Sequence, residues 1–455
     1  MTDGERGVRW FHQPEWLFAV TSTLVGLVLI ALIPPLAGGN ETLNFQRAAS
    51  IAVGQVVVAP TALPSGIAES LTITRRRFPE GITPPYSYSR ADFDRVAELK
   101  LDKEHPVVVQ PNPIAVLNPI AYLPQVPVIS VGMALGLSPL SIFYLARLFG
   151  LAAGIALTFF AIRVMPVHKY LLAAVALLPP MIFSRSTLDA DQFNNGLAFL
   201  VVATIARRIV MDEPWRRGTF AALAAGTFAL AQSKSAYLLV PSLVLAIPPD
   251  RLGMRKVPAW ALVILPGIIA SIAWVLILRS TFATTAYRTW SGVVMPEEQL
   301  HLVLADPLGF GGTLLRTVFA TSFIPRTLLD FVGRFGPPVS LPLPYFPVLA
   351  VLLVSIGMSE GRQPAIPVAA KVIALLIGFA TLCIILTLLY LQWTRVGAST
   401  VDGFNGRYLY PLVPLLLLIL PAGDMRVVSP AVLVALLVLV SNVGMLLTTW
   451  ATYWG

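Results

Sequence analysis

Charged residues are scarce in this sequence, since Asp, Glu, Lys and Arg make up only 12% of its 455 residues. An average soluble domain carries about 25% of such residues. Apolar side chains account for 56% of the chain, and its mean hydropathy is +0.77. This composition excludes a soluble globular enzyme and indicates a protein that has lipid as its main solvent.

Cysteine and histidine are scarce as well. Cys383 is the sole cysteine, so no disulfide forms within the chain, and the four histidines lack the spacing of a zinc site. We predict no metal-binding residues and no certain cofactor, with a divalent metal ion as the open alternative.

Apolar runs, by contrast, are abundant. A transmembrane helix needs about 20 consecutive apolar residues, and the many runs of this kind predict an all-α polytopic membrane protein. We expect about 11 transmembrane helices in a single membrane domain, residues 1–455. The predicted spans are 17–35, 139–163, 169–184, 193–210, 218–233, 236–248, 258–279, 343–357, 367–391, 408–422 and 428–450.

The basic residues predict the orientation. A net charge of +9 would suggest nucleic acid in a soluble protein, but Lys and Arg lie here in short loops between apolar runs. We therefore exclude nucleic acid as a partner and expect the lipid bilayer instead. With the N-terminus in the cytoplasm, the short cytoplasmic loops hold Arg163, Lys169, Arg207, Arg208, Arg216, Arg217, Arg251, Arg255, Lys256, Arg362, Lys371 and Arg426. The short external loops hold only Arg185, Lys234, Arg395 and Arg407. The run at 236–248 is short for a crossing, and every later loop would invert if it did not cross.

Two segments, 37–138 and 280–342, then lie outside the membrane, and both exceed ordinary loop lengths. We expect them to fold over the outer mouth of the bundle. The residue pattern predicts short helices at 45–58 and at 89–101, with Ser89 as N-cap. The apolar stretch at 126–137 is too short to cross and is expected to lie in the membrane interface or to re-enter. The pattern also predicts amphipathic helices on the membrane surface at 296–304 and 308–319, and a coil at 74–88.

The first candidate site residues follow the first span directly. A Gly-Gly pair allows a tight turn that presents Glu41, and Asn40, Asn44 and Arg47 lie beside it. We predict a catalytic role for Glu41 and substrate binding for the other three. A solvated loop acid is the alternative interpretation of Glu41.

A second pair of carboxylates, Asp189 and Asp191, precedes the span at 193–210. N-capping of a helix explains one aspartate but not two. We therefore predict a catalytic role for Asp191 and substrate binding for Asp189 and for Asn195, which follows closely.

Three cations complete the candidates. Lys234 and Arg407 lie at the external face, where positive residues are disfavoured; a snorkelling lysine and an interfacial anchor with Tyr408 are the alternatives. Arg147 lies inside a predicted span, roughly 10 Å below the outer surface. It needs an anionic partner there, either a carboxylate such as Asp191 or a lipid phosphate. We predict that all three, with Tyr408, bind substrate.

These residues come from separate segments, yet the predicted topology brings them to one face of the membrane. A carboxylate at such a face can deprotonate an acceptor hydroxyl while cations hold the phosphate of a lipid-borne sugar donor. The expected partners are a polyprenyl-phosphate-linked sugar and an external glycan, lipid or protein acceptor.

The stretch GGNETLNFQRA at 38–48 resembles the segment G-x-D-E-P-x-H-F-x-R-A of a bacterial membrane protein family, the domain of unknown function 2142 (DUF2142) family. Further similar segments follow in the same order and cover nearly the whole chain. They are Tyr122 to Gln125, Tyr144 to Leu148, Leu177 to Pro179 with Ala190-Asp191, Asn195 to Phe199, Lys234 to Tyr237, Asp306-Pro307 and Gly406 to Tyr408.

That family looks like the C-type (GT-C) membrane glycosyltransferases, which use lipid-phosphate-linked sugars and carry an acid in the first external loop. The resemblance implies that Glu41 is the base and Asp191 a second acid, in a bacterial inner membrane with the active face outside. The chain departs from the family at Asn40, Thr42 and Asn44, where the pattern has Asp, Pro and His. This departure either shifts the catalytic role onto Glu41 or marks a divergent or inactive member.

We expect from this an inverting hexosyl- or pentosyltransferase. A transporter or flippase of lipid-linked saccharides is the first alternative, but transporters place charged groups near the bilayer midplane, which is nearly bare in the predicted topology. A non-catalytic partner in cell-envelope assembly is the second, and it would account for the missing Asp and His.

Overall fold

The chain folds into helices joined by turns and by three short two-stranded sheets. The computed structural model describes residues 13–77, 90–211, 217–247, 259–284, 287–289, 292–336, 339–421, 423 and 428–455. The α-helices are α1 (Pro14–Leu32), α2 (Glu41–Ala52), α3 (Ser65–Arg77), α4 (Arg90–Glu98), α5 (Val126–Ala134), α6 (Pro139–Val164), α7 (Lys169–Ala176), α8 (Pro179–Ser186), α9 (Ala190–Val210), α10 (Arg217–Ser233), α11 (Ala259–Thr284), α12 (Pro296–Ala305), α13 (Pro307–Val318), α14 (Phe323–Val332), α15 (Tyr345–Ser359), α16 (Val368–Gln392), α17 (Val413–Ile419) and α18 (Pro430–Tyr453). The antiparallel strand pairs are β1 (Thr61–Leu63) with β2 (Val107–Val109), β3 (Tyr287–Thr289) with β4 (Gly292–Val294), and β5 (Arg334–Gly336) with β6 (Val339–Ser340). Short 3₁₀ helices lie at Pro113–Val116, Pro119–Tyr122, Ser235–Tyr237, Val240–Ala246 and Gly406–Leu412.

Six helices in the described part of the chain are long and apolar enough to cross a membrane. They are Pro14–Leu32, Pro139–Val164, Ala190–Val210, Trp260–Arg279, Val368–Gln392 and Pro430–Tyr453. Three shorter apolar helical stretches are Ser235–Ala246, Tyr345–Ser359 and Gly406–Ile419. The expected mostly helical membrane protein is thus confirmed, but the expected number of 11 spans is not.

The predicted span at 169–184 is interrupted, because two prolines follow its first ten residues. Leu178 is extended, with φ −62° and ψ 148°, and Pro179 starts a new helix, α8. A residue before proline avoids the helical conformation, and proline itself donates no backbone hydrogen bond. The predicted crossing is therefore a pair of short buried helices, α7 and α8.

Helix α9 lies at the centre of the bundle. It is 78% buried over its most apolar window, whereas the other long helices are 22–44% buried, and it packs along α6. The largest apolar cluster surrounds it and includes Phe199 and Val202. Packing along most of α9 consequently fixes the position of its N-terminal end.

The segment between α1 and α6 forms a small core of its own. Its helices α2, α4 and α5 overlap the predictions at 45–58, 89–101 and 126–137. Phe45 packs there with Ile142 of α6 and with Leu188, just before α9. The predicted N-cap Ser89 and most of the predicted coil at 74–88 lie outside the described residues. The segment thus covers the end of the bundle at which α6 and α9 begin.

The second long segment carries the two predicted amphipathic helices, as α12 and α13, and a third, α14. Val303 and Phe310 pack against the end of α16 around Tyr390. Leu308 and Phe319 are exposed on the same helices. Their contact with the membrane surface stays a prediction.

Glu360 holds the opposite end of the bundle, where α6 stops and α7 begins. Its carboxylate accepts the backbone N–H groups of Tyr170 at 3.2 Å and Leu171 at 2.8 Å, which caps α7. His168 lies against it, with Nδ1 3.9 Å from Oε1. Burial raises the pKa of Glu360 to about 7 and lowers the pKa of His168.

We expect the melting temperature of the wild-type protein to fall as pH rises from about 5 to 8. Glu360 keeps its proton up to about pH 7 in the folded protein but loses it near 4.5 when unfolded, so stability present at low pH is lost through this window. His168 contributes an opposite slope between its lowered pKa in the folded protein and about 6.5, its value when unfolded, and this contribution remains when Glu360 is replaced. Glu360→Gln should flatten the decline in thermal unfolding measured in detergent, and an unchanged slope would contradict this account.

Candidate functional site

The loop between α8 and α9 presents two carboxylates. Asp189 is the N-cap of α9, since its Oδ1 accepts the backbone N–H of Asp191 at 3.0 Å, and its Oδ2 accepts the Ser184 hydroxyl at 2.9 Å. Burial, and then the charge of Asp191, raises the pKa of Asp189. The capping role explains Asp189 and leaves the Asp191 side chain available for other contacts.

Asp191 lies between two cations from distant parts of the chain. Lys234 donates from Nζ to its Oδ1 at 2.6 Å, and Nε of Arg407 lies 3.7 Å from its Oδ2. The three side chains are partly accessible, at 15% for Asp191, 24% for Lys234 and 36% for Arg407. We call Asp189, Asp191, Lys234 and Arg407 the four-charge cluster; the structure brings together these four predicted site residues.

Backbone turns determine the positions of Lys234 and Arg407. Lys234 directly follows α10 in an extended conformation, and the Asn405 side chain accepts the backbone N–H of Arg407 at 3.0 Å. The ring of Tyr408 lies 4.8 Å from Nζ of Lys234, and Tyr237 donates its hydroxyl to the Tyr408 carbonyl at 3.0 Å. Cation–π contacts of this kind stabilise a charge without using its hydrogen-bond donors.

Glu41 lies next to this cluster but is enclosed. Both it and Arg147 have 0% exposed side chains, and Arg147 donates to its carboxylate from Nε at 2.8 Å and Nη2 at 2.7 Å. Backbone N–H groups of Gly38 and Leu188 occupy the remaining acceptor positions. The partner of Arg147 is thus Glu41, neither Asp191 nor a lipid phosphate, and this geometry favours neither a general base at Glu41 nor phosphate binding at Arg147.

The other predicted substrate-binding residues near Glu41 hold the chain itself. Asn44 accepts the Tyr122 hydroxyl at 2.8 Å, and buried Arg47 donates to the carbonyls of Val56 and Leu117. Asn40 is exposed, and its carbonyl accepts from the Asn44 side chain at 3.0 Å.

Asn195 is buried one turn into α9, and its amide lies 3.5 Å from the Met181 sulfur. Among the described residues, its hydrogen bond is with Met181 and not with the four-charge cluster.

Sequence reasoning missed Arg185, which the charge count had placed in an external loop. Its side chain is 1% exposed and reaches into the bundle, donating to the Ala176 carbonyl at 2.8 Å and lying over the Phe18 ring. Its Nη2 has no hydrogen-bond partner among the described residues. The proline break before α8 was the available signal, because it turns the predicted external loop residue into part of a buried helix.

The donor set does not fit a divalent metal ion. No group of three or more His, Cys, Asp or Glu side chains that could hold a metal occurs in the described part of the chain. The oxygens of Asp191 face Lys234 and Arg407, and those of Asp189 accept Ser184 and a backbone N–H.

The family assignment agrees with the resemblance drawn from the motifs. The sequence profile of the predicted membrane proteins DUF2142 matches residues 23–416, which is most of the chain. The chain belongs to the DUF2142 family. The match includes every residue of the four-charge cluster as well as Glu41 and Arg147. No curated protein and no solved structure matches this DUF2142 member.

Proposed function

We propose that this DUF2142 protein is an inverting membrane glycosyltransferase that transfers a sugar from a polyprenyl-phosphate donor to an acceptor hydroxyl. The observation that supports this most is the position of Asp191, a partly exposed carboxylate between Lys234 and Arg407. Sugar transfer from a phosphate needs one proton acceptor and cations that stabilise the leaving phosphate.

The two cations are suited to the donor phosphate. Nε of Arg407 is buried without a hydrogen-bond partner among the described residues, and its 3.7 Å approach to Asp191 is too long for a hydrogen bond. Arginine binds phosphate oxygens through charge-assisted, often paired, hydrogen bonds. A phosphate at this position would give Nε of Arg407 a hydrogen-bond acceptor. It would also attract the Lys234 ammonium group away from Asp191.

Asp191 is then the general base. The acceptor oxygen attacks C1 of the sugar, the bond from C1 to the phosphate oxygen breaks with its electron pair left on the phosphate, and the acceptor proton moves to Asp191. Asp191 becomes neutral as the phosphate gains a negative charge, so the net charge of the cluster with its donor does not change. Oδ1 of Asp189 accepts a hydrogen bond from the backbone N–H of Asp191 and so orients the base.

This proposal includes the predicted orientation. The four-charge cluster faces the outside of a bacterial inner membrane, with the N-terminus of the chain in the cytoplasm, as the distribution of basic residues favours. The acceptor is then an external glycan, lipid or protein. Segments 37–138 and 280–342 cover this face in part.

One observation favours the second candidate, a transporter of lipid-linked saccharides. Arg185 belongs to α8, the second helix of the interrupted pair, and its side chain lies inside the bundle. Its Nη2 has no hydrogen-bond partner among the described residues. Transporters place charged groups and broken helices in this way. A transporter would move the donor across the bilayer intact, whereas a transferase cleaves it.

Lys234→Ala and Arg407→Ala should each weaken binding of a polyprenyl monophosphate to the purified protein by about tenfold or more, because each removes a charge-assisted contact. Lys371→Ala, at the start of α16, serves as the matched control and should leave the affinity unchanged. Unaltered affinity in both cluster variants would remove the phosphate site from this account.

A further inference from the structure

The Glu41 and Arg147 side chains form a saturated pair. Arg147 has five N–H donors, and all are used: two on Glu41, and three on the carbonyls of Ile30, Ile33 and Pro34. Each oxygen of Glu41 accepts two hydrogen bonds, one from Arg147 and one from the backbone. A carboxylate has about four acceptor positions, so none is left for the proton of a substrate.

The pair joins four separate parts of the chain. The carbonyls that Arg147 binds lie at and just after the C-terminal end of α1. Those of Ile30 and Ile33 receive a donor from Arg147, and that of Pro34 also accepts the backbone N–H of Ala37 at 3.2 Å. Glu41 starts α2, Arg147 lies on α6, and the fourth part is the loop before α9, through the N–H of Leu188 at 2.8 Å.

The loop that Glu41 binds is the one that carries the proposed base. Leu188 directly precedes Asp189, which caps α9 by binding the N–H of Asp191. Gly38 packs against the same loop so closely that a Cβ there would lie 2.5 Å from the Thr187 methyl carbon. Hydrogen bonds therefore link Arg147 to Glu41 and Glu41 to the N–H of Leu188, and the next residue, Asp189, binds the N–H of Asp191.

We propose that Glu41 and Arg147 are positioning residues, which set the place of Asp189 and Asp191 by fixing residues 187–191. This inference rests on the proposed function for its effect on sugar transfer but not for its effect on the loop. Glu41, the acid of the first external loop, would then affect sugar transfer through residues 187–191, without contacting the donor or the acceptor.

Hydrogen exchange of the Leu188 amide tests the effect on the loop without any substrate. Glu41→Gln places an amide N–H₂ group among donors, so exchange at residues 187–191 should become about tenfold faster or more. Glu41→Asp, with a shorter carboxylate, should give an intermediate rate if Glu41→Gln does not fold. Glu360→Gln, a buried carboxylate that caps α7 at the other end, is the matched control and should leave this loop unchanged. Wild-type exchange at 187–191 in both Glu41 variants would overturn the proposal.

The dependence of sugar transfer on pH separates positioning from base catalysis. Glu41→Gln should lower the transfer rate about tenfold or more, with the acid limb of the pH profile and the affinity for polyprenyl monophosphate unchanged. Loss of the acid limb in Glu41→Gln, and its retention in Asp191→Asn, would make Glu41 the base and overturn the inference. If the wild-type protein transfers no sugar, the proposed function fails, while the exchange rates still decide whether Glu41 positions the loop.

Discussion

Asp191→Asn is expected to lower sugar transfer by about 100- to 10,000-fold, the usual effect of removing a general base. The variant should bind polyprenyl monophosphate at least as tightly as the wild type, because the Asp191 carboxylate no longer competes for Lys234 and Arg407. Transfer assays and equilibrium binding on the same preparation measure both quantities. A loss of transfer together with a loss of binding would show that Asp191 holds the site together rather than accepting a proton.

The control for this variant is Asp306→Asn. Asp306 caps α13 through the N–H of Gly309 at 2.8 Å and lies outside the four-charge cluster. Asparagine also caps helices well, so transfer and melting temperature should both stay at the wild-type level.

Arg147→Met is expected to reduce the free energy of unfolding by about 3 to 5 kcal/mol, the largest loss of stability in this set. The substitution leaves the Glu41 carboxylate buried without its counterion and removes the Arg147 donors from the carbonyls of Ile30 and Ile33. Reversible unfolding in mixed micelles measures it. Arg334→Ala is the comparison and should cost less, since Arg334 is 44% exposed and its buried partner Asp330 keeps a backbone hydrogen bond from Gly406.

The double variant Glu41→Leu with Arg147→Met should recover part of this loss, because no unpaired charge remains. The recovery will be incomplete, since the N–H groups of Gly38 and Leu188 and the carbonyls of Ile30 and Ile33 lose these hydrogen bonds. A single Arg147→Met variant as stable as the wild type would contradict the importance of the pair.

Topology made the four-charge cluster predictable. Lys234, Arg407 and the Asp189–Asp191 pair each lie at the end of an apolar stretch, so the order of the spans alone brought them to one face. Their contacts could not be predicted, because Asp191 and Arg407 are 216 positions apart and only the fold decides which side chains meet. The aromatic support from Tyr237 was missed for the same reason.

The position of a residue relative to a predicted span did not predict whether its side chain is buried. Glu41 follows the first long helix by a short turn and was expected to face a substrate, yet Arg147 binds it from 106 positions away. An isolated buried arginine is costly, and the sequence analysis named a carboxylate such as Asp191 or a lipid phosphate as its partner, while Glu41 was assigned to the substrate. Asn44 and Arg47 likewise hold the first external segment together, since its core is made of short elements with many carbonyls to satisfy.

The number of spans is not confirmed, because apolar composition does not show where a helix is interrupted. Residues 236–248 are apolar, but they form two 3₁₀ helices, the second of which contains Pro241. Pro179 and Pro180 divide the run at 169–184 in the same way. The prolines within these runs were the signal of an interrupted helix, and hydropathy alone does not take them into account.

Cleavage of the donor tests the central claim most directly. Purified protein in proteoliposomes is given synthetic polyprenyl-phosphate hexoses and pentoses with a labelled sugar, together with cell-envelope membranes that lack this protein as the source of acceptor. The account predicts that one of these donors yields labelled acceptor and an equal amount of polyprenyl monophosphate, and that Asp191→Asn yields neither. Recovery of every donor intact, with its label moved to the opposite leaflet, would contradict the transferase and establish a transporter.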